Sequence, residues 1–390
     1  MERKREAGHG AAGAHRLATG APNECAMSAR KRRVVAYGHY GFGNFGDELF
    51  TQVVRDRAGS IWPGSHVRVF APRVDGTARS AERGLRAMYR SPSPQGLAVR
   101  GLAAVSGLTW AELVALCGGS VIRSFRGVQR LHLNVATRGM RRFEALGVSV
   151  GPFPDAVATR EAKRFLGTME RLIVRDWASL ELAERIVPGV AIQGGDLAAL
   201  AAYPRHREER ELASVGIIPC SASGIPVADY LEMTRRATTI YASHLAGATE
   251  IVYLSLNSRP EIGDDNLARY GTEALRAGGL RASERRFAEE GIDGVKNLIA
   301  RMDAVFAGRL HGAVVAYLTD VPFAIVEYDR KCSEFAEDVG LPTVLRLTPQ
   351  SSGRDWEEAA AALAAGVRPE MPAATYRRRA ESAYLGGPLG

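Results

Sequence analysis

The sequence predicts a two-domain α/β protein built on doubly wound parallel sheets. A chain of 390 residues with 46% hydrophobic content is long enough for two cores. From Arg33 onward, short β-branched runs alternate with longer amphipathic stretches, the pattern of strands and crossover helices in a parallel sheet. Polar clusters fall directly after several of the strand-like runs, where open parallel sheets gather ligands.

In the first half, residues 34–38, 67–70, 113–116, 148–151, 172–175 and 190–193 read as strands. Helices are expected at 47–58, 129–146 and 179–186. The polar, charged stretch 203–211 reads as a linker. In the second half, strands are expected at 215–219, 251–256, 304–307 and 323–327, with a long helix over 229–245. The Ala-rich stretch 356–367 reads as a closing helix, and no internal repeat is visible. The expected organisation is a basic tail over 1–33, an N-terminal Rossmann-like domain over 34–202, a linker over 203–212, a second such domain over 213–345, and a C-terminal helical segment over 346–390.

Charge and cysteine usage narrow the function classes. The formal charge is +8, but residues 1–33 hold eight Lys/Arg against three Asp/Glu, so only +3 remains for everything after them. The basicity is therefore mostly tail, and no nucleic-acid partner is expected. The tail has no apolar core typical of a secretory signal and reads as disordered, with Met27 as an alternative start. The longest apolar stretch, 312–328, is broken by Asp320 and Pro322, short of the roughly 20 apolar residues a membrane span needs. Cys25, Cys117, Cys220 and Cys332 lie far apart without metal-type pairing, so reduced thiols in the cytoplasm are expected and no metal site.

Gly41-Phe-Gly43-Asn44-Phe-Gly46 follows a strand and matches the G-x-G-x-x-G pattern. Dinucleotide binding, a Gly-rich turn that only permits tight backbone geometry, or a site for another ligand are all open readings. Asp47 and Glu48 weigh against the first, because they crowd with negative charge the helix N-terminus where a pyrophosphate would sit. Gly308-Arg309-Leu310-His311-Gly312 places a fixed cation and a titratable imidazole at another strand-to-helix junction, either an anion site with a proton donor or a capping Arg beside a core His. Arg175-Asp176 and Tyr328-Asp329-Arg330-Lys331 repeat the arrangement, although Asp176 and Asp329 could equally cap the helices that follow. Gly118-Gly119-Ser120 reads as a tight turn or as backbone that a substrate approaches closely.

Taken together, Tyr37 to Glu48 resembles the opening signature of the polysaccharide pyruvyl transferase family. The later run of Gly308–Gly312, Val321-Pro322, Glu327–Lys331 and Val339–Pro342 is similar to its C-terminal block in order and spacing. Gly151-Pro152, Val174-Arg175-Asp176 with Ser179, and Asp196-Leu197-Ala198 fall where the family has similar elements. Cys117 stands where a third glycine is usual, and Val148 and Ser149 replace the polar and glycine positions expected before Gly151.

The resemblance implies a GT-B-like fold of two Rossmann-like domains facing a cleft, with phosphoenolpyruvate as donor, no cofactor, and a glycan or lipid-linked saccharide as acceptor. It implies that Arg309, His311 and Arg175 serve the donor, and ketal chemistry then assigns His311 as acid/base, Arg309 and Arg175 as clamps on carboxylate and phosphate, and Lys331 as further neutralisation of the departing phosphate. Asn44, Asp47 and Glu48 would orient acceptor hydroxyls, and Gly119, Ser120, Tyr328 and Asp329 complete the expected substrate-binding set. The expected location is cytoplasmic, with the basic tail able to attract the chain to the inner face of an anionic membrane. Two rivals share the architecture: a glycosyltransferase using a nucleotide sugar, and a non-catalytic glycan-binding member. The charge at the glycine motif predicts that NAD and NADP do not bind. Calorimetric titration checks this, and micromolar affinity for either would restore the dinucleotide reading.

Overall fold

The computed structural model describes residues 31–72, 80–204, 213–244, 249–259 and 262–386. The expected linker lies largely outside these, as does nearly all of the basic tail. The first half runs β1 (Arg33–Tyr37), α1 (Phe45–Ile61), β2 (His66–Val69), α2 (Ser80–Arg90), α3 (Pro94–Trp110), β3 (Leu113–Ile122), α4 (Val128–Thr137), β4 (Arg142–Val150), α5 (Ala156–Leu166), β5 (Met169–Val174), α6 (Trp177–Ile186) and β6 (Ala191–Gln193). A 3-10 turn, Leu197–Leu200, follows. The second half runs β7 (Ala213–Ile218), α7 (Val227–Ser243), β8 (Thr249–Ser255), α8 (Asp264–Ala277), β9 (Ala282–Arg286), α9 (Phe287–Ala300), β10 (Ala304–Ala307), α10 (Leu310–Leu318), β11 (Phe323–Val326), α11 (Arg330–Asp338) and β12 (Arg346–Leu347), then α12 (Gly353–Ala364) and α13 (Ala373–Leu385).

All strand pairings are parallel, in two six-stranded sheets ordered β2-β1-β3-β4-β5-β6 and β12-β11-β10-β7-β8-β9. This is the doubly wound parallel architecture the strand spacing predicts. In the first sheet the chain leaves β1 for β2 on one side and returns to β3 on the other. The second sheet reverses in the same way between β7 and β10. Each reversal opens a crevice at the carboxyl ends of its central strands, because the flanking connections cross to opposite faces.

Two expectations need correction. The helix expected over 129–146 stops at Thr137, and 142–150 is instead the central strand β4. Gly139 at φ 64° breaks the helix, and the following Phe-Glu-Ala-Leu-Gly-Val run is buried on both faces, which erases the alternation that would mark a strand. Of the two readings of Gly118-Gly119-Ser120, the tight turn is not found, because the segment is an irregular continuation of β3. Gly118 and Gly119 take φ of 74° and 76°, and the register with β4 shifts beyond Gly119. A side chain at Gly118 would strike the Phe50 ring, so α1 packs on bare backbone there.

One apolar core runs from α1 and the 3-10 turn into the second sheet, and another fills the far face of the first sheet. The closing helix expected at 356–367 is α12, begun by a Ser352–Asp355 capping box and anchored by the fully buried Trp356. Beyond it α13 crosses back to the first half. The Tyr384 hydroxyl donates to Gly195 O at 2.5 Å, Arg171 Nη1 donates to Tyr384 O at 3.1 Å, and Arg379 pairs with Asp338 of α11. Tyr384→Ala should lower stability by about 3–5 kcal/mol, since it empties a fully buried ring position and removes that hydrogen bond. The urea midpoint measures this, and an unchanged midpoint would show that α13 does not hold the halves.

Candidate functional site

A cavity of about 340 Å³ opens where the carboxyl ends of both sheets meet. From the first half it is lined by His39, Asn44, Gly46 and Asp47 around the start of α1, by Gly119, Ser120 and Arg123 at the end of β3, and by Gln129 and Arg175. From the second half come Leu256, Arg309, His311, Tyr328, Asp329 and Lys331. Of the expected catalytic and substrate-binding residues, all but Glu48 line this cavity. No group of three or more His, Cys, Asp or Glu among the described residues is placed to hold a metal ion. Cys117, Cys220 and Cys332 are buried free thiols.

The glycine loop before α1 is fixed by backbone and carboxylate bonds. Phe45 N–H donates to Leu256 O at 2.9 Å, Ser258 N–H donates to Gly43 O at 3.0 Å, and Asn44 forms an isolated antiparallel bridge with Asn257. Glu48 was expected to orient acceptor hydroxyls. Instead its buried carboxylate accepts from Gly41 N at 2.9 Å and Gly43 N at 3.3 Å. The amides that could cradle a phosphate are therefore already engaged by an acid. Asn44 caps α1 by accepting from Gly46 N at 3.3 Å, and its Nδ2 donates to Asp47 Oδ2 at 2.9 Å. Burial pushes the Asp47 carboxyl above its ordinary range, against the pull of His39, His311 and Lys331.

His311 stands in the first turn of α10, where the strand-to-helix junction directs it across the cavity onto α1. A side chain at Gly46 would overlap the imidazole, whose ring also makes an edge contact with Phe50 at 5.0 Å. Its buried Nε2 faces Asp196 Oδ2 at 3.7 Å. Asp196 begins the 3-10 turn, accepts from Ala198 N at 2.9 Å, and lies 4.0 Å from Arg175 Nη1. Burial alone would raise the Asp196 carboxyl, but His311, Arg175 and the Ala198 amide outweigh it and hold the group below the ordinary range. A permanent anion thus orients the ring that the sequence picked out as acid/base. Asp196 belongs to a recognised segment, yet only the fold reveals its role. The signal available was a strand followed by Gly-Gly-Asp.

The cations of the cavity divide into two kinds. Arg175 is almost wholly buried, within 3.4 Å of both Asp176 Oδ2 and Ser120 Oγ. Arg309, expected to grip donor with its fork, turns Nε and Nη2 onto Asp264 at 2.7 and 2.8 Å, and Asp264 also accepts from Ser221 N at 2.9 Å. That fork is committed within the protein. Lys331 and Arg123, by contrast, line the cavity with no carboxylate in ion-pair range among the described residues; Lys331 lies 5.5 Å from the Tyr328 ring centre. Arg123 escaped sequence reading because a lone exposed Arg after a strand carries no pattern. Asp264 escaped it because its partner is 45 residues away. Asp176 and Asp329 do cap α6 and α11, accepting from Ser179 N at 2.7 Å and Lys331 N at 3.1 Å.

Burial pushes the Glu48 carboxyl up to about 7, with Asp47 adding to the rise and the two glycine amides opposing it. The native state then holds a proton that the unfolded chain releases above its ordinary value. This contribution is complete below about 4.5 and is lost as pH rises to 7, up to about 3 kcal/mol. Glu48→Gln, which keeps a carbonyl acceptor, should therefore gain stability on the native protein between pH 5 and pH 8. Melting curves at both values check this, and parallel pH dependence would show that the carboxyl titrates normally.

Solved structures of the same architecture include a Listeria monocytogenes protein assigned as a UDP-N-acetylglucosamine 2-epimerase (12% identity, 92% of this chain and 93% of that one, TM-score 0.55). The UDP-GlcNAc 2-epimerase from Neisseria meningitidis is similar at 10% identity over 92% and 96% of the two chains, TM-score 0.53. The Methanocaldococcus jannaschii enzyme is similar at 8% identity over 89% and 98%, TM-score 0.52. These likenesses place the fold in the GT-B class. No curated protein matches the chain by sequence. The family model described as polysaccharide pyruvyl transferase matches residues 44–330, a span that holds the start of α1, Arg175, Asp196, Arg309 and His311, and the chain belongs to that family.

Proposed function

We propose that this cavity forms a pyruvate ketal on a glycan from phosphoenolpyruvate, releasing phosphate. The observation that carries the reading is His311, held by a buried Asp196 anion on one side and opening beside Lys331, Arg123 and Asp47 on the other. Family membership supports it.

The chemistry needs proton transfer and charge handling. The methylene carbon of the donor takes a proton, and C2 becomes electron-poor. One acceptor hydroxyl bonds to C2 and gives up its proton. The C2–O bond to phosphate breaks with its electron pair leaving on phosphate, and a second hydroxyl closes the ring as its proton is lost. His311 is the acid/base for these transfers. Asp196 is a positioning residue that fixes the ring. Lys331 and Arg123 neutralise the carboxylate and departing phosphate, and Arg175 adds a fixed positive charge. Arg309, locked by Asp264, contributes charge and holds the mouth of α10 in shape, which revises the bidentate clamp. Asn44, Asp47, Gly119 and Ser120 meet the acceptor hydroxyls, and residues 34–202 and 213–345 act as the two halves of the site. A polysaccharide or lipid-linked saccharide made on the cytoplasmic side supplies those hydroxyls.

His311→Gln should lower kcat by roughly 10²–10⁴ while phosphoenolpyruvate affinity stays near the native value. Asp196→Asn should lower kcat less than His311→Gln does while phosphoenolpyruvate affinity stays near the native value, a split that simple loss of packing would not give. Phosphate release across a panel of saccharide acceptors, with donor binding measured separately, tests both. Near-native turnover in His311→Gln would refute the acid/base role, and no donor binding to the native protein would refute the reaction.

A further inference from the structure

Beside the polar cavity lies a second one of about 310 Å³ with very different walls. It sits at the carboxyl ends of β1 and β3, under α3 and α4, and is lined chiefly by rings, including Tyr37, Phe42, Phe70, Tyr89, Phe125 and Phe165. The two cavities share His39, Val121 and Gln129, so they adjoin along that line. His39 lies flat on Phe42 at 4.3 Å, and Phe42 meets Tyr89 at 5.5 Å, which builds a continuous aromatic wall leading away from Asp47 and His311.

Tyr37, His39, Tyr89, Arg100, Gln129 and His132 bring polar atoms to this wall, and Arg100 is turned onto the carbonyls of Tyr89 and Ser91. The Tyr37 hydroxyl donates to Ala104 O at 2.7 Å. His132 is only 3% exposed, with a buried Nε2 that has no hydrogen-bond partner. Its ring packs against Tyr37 at 4.8 Å, and burial pulls its pKa down to about 4, so it presents a neutral imidazole. A saccharide ring placed here would bury several hydroxyls against hydrocarbon, each at a cost of a few kcal/mol. An apolar group with a single polar atom would meet both the rings and the unpaired nitrogen.

We propose that this cavity is a subsite for an apolar aglycone, an aryl or alkyl group joined to the acceptor saccharide, with His132 Nε2 meeting its one polar atom. The proposal rests on the polar cavity being the place where a glycan is modified. An acceptor whose hydroxyls reach Asp47 and His311 passes its aglycone over the boundary at His39, Val121 and Gln129 into the aromatic cavity.

Calorimetric titration of the full chain with phenyl β-D-galactoside, methyl β-D-galactoside and sugar-free benzyl alcohol tests the subsite. The phenyl compound should bind at least about tenfold tighter than the methyl one, from burial of the ring. Benzyl alcohol should compete with it. Ala103→Leu, which fills the cavity from a partly exposed position on α3, should abolish the preference. His132→Phe, which keeps the ring and removes the nitrogen, should weaken benzyl alcohol. Equal affinity of the two galactosides, no binding of any aryl probe, or unchanged aryl affinity in both variants would overturn the proposal. Phosphoenolpyruvate titration separates the two readings. Aryl preference without donor binding leaves the subsite standing and sinks the pyruvyl reaction, whereas donor turnover without aryl preference does the reverse.

Discussion

A carboxylate as buried as Asp196, at 2% exposure, is costly to keep ionised unless its lone pairs and charge are answered from close by. Its answers come from three parts of the chain: the Ala198 amide in its own turn, Arg175 at the end of β5, and His311 at the start of α10 in the other half. The anion therefore meets these three groups only when both sheets are in place. The same residue is gripped through its backbone, because its N–H donates to the Tyr376 hydroxyl of α13 at 2.6 Å. The crossing helix, the turn and the two halves of the cavity thus converge on one residue. Removing any one partner leaves a buried charge, which explains why a residue with so little sequence pattern around it organises the site.

The glycine loop is the second constraint, and it shows why a motif must be judged by what its amides do. In a dinucleotide fold the bare N–H groups of such a loop point at pyrophosphate. Here Glu48 occupies two of them, and the loop's remaining backbone is tied to residues 256–258 of the other sheet. The glycines serve close approach. Gly46 leaves room for the His311 ring, and Gly41 and Gly43 take left-handed φ of 84° and 79° that let the chain wrap the Glu48 carboxylate. In the proposed reaction, anion recognition falls to side-chain cations of the cavity.

Much of this was legible in the sequence because parallel-sheet proteins put chemistry at strand ends, and β1, β5, β10 and β11 are short apolar runs that stop at charged residues. His311, Lys331, Arg175, Asn44 and Asp47 were all found by that rule. What stayed hidden depends on long-range pairing. β9, Ala-Ser-Glu-Arg-Arg, is an edge strand without an apolar run, held by β8 alone, so no periodicity betrays it. β4 was misread because Phe, Glu, Ala and Leu suit a helix locally, and only burial on both faces, with Glu144 accepting from Arg171 at 3.1 Å, makes it a central strand. The partners of Arg309 and His311 were equally invisible, since Asp264 and Asp196 reach them only through the fold.

Those hidden partners change how the cavity handles charge. Had Arg309 and Arg175 been unpaired, two buried guanidinium groups would each carry a desolvation penalty of several kcal/mol in the empty site. Pairing them with Asp264, Asp176 and Asp196 removes that cost and fixes their positions, at the expense of most of their net attraction for an anion. Lys331 and Arg123 line the cavity without acid partners among the described residues. The division gives a rigid inner layer that sets geometry and an outer layer that meets incoming charge. In the proposed reaction, a multiply charged anion entering such a site exchanges water for Lys331 and Arg123 first and meets the oriented imidazole only when seated, which would assign binding and proton transfer to different residues of one pocket.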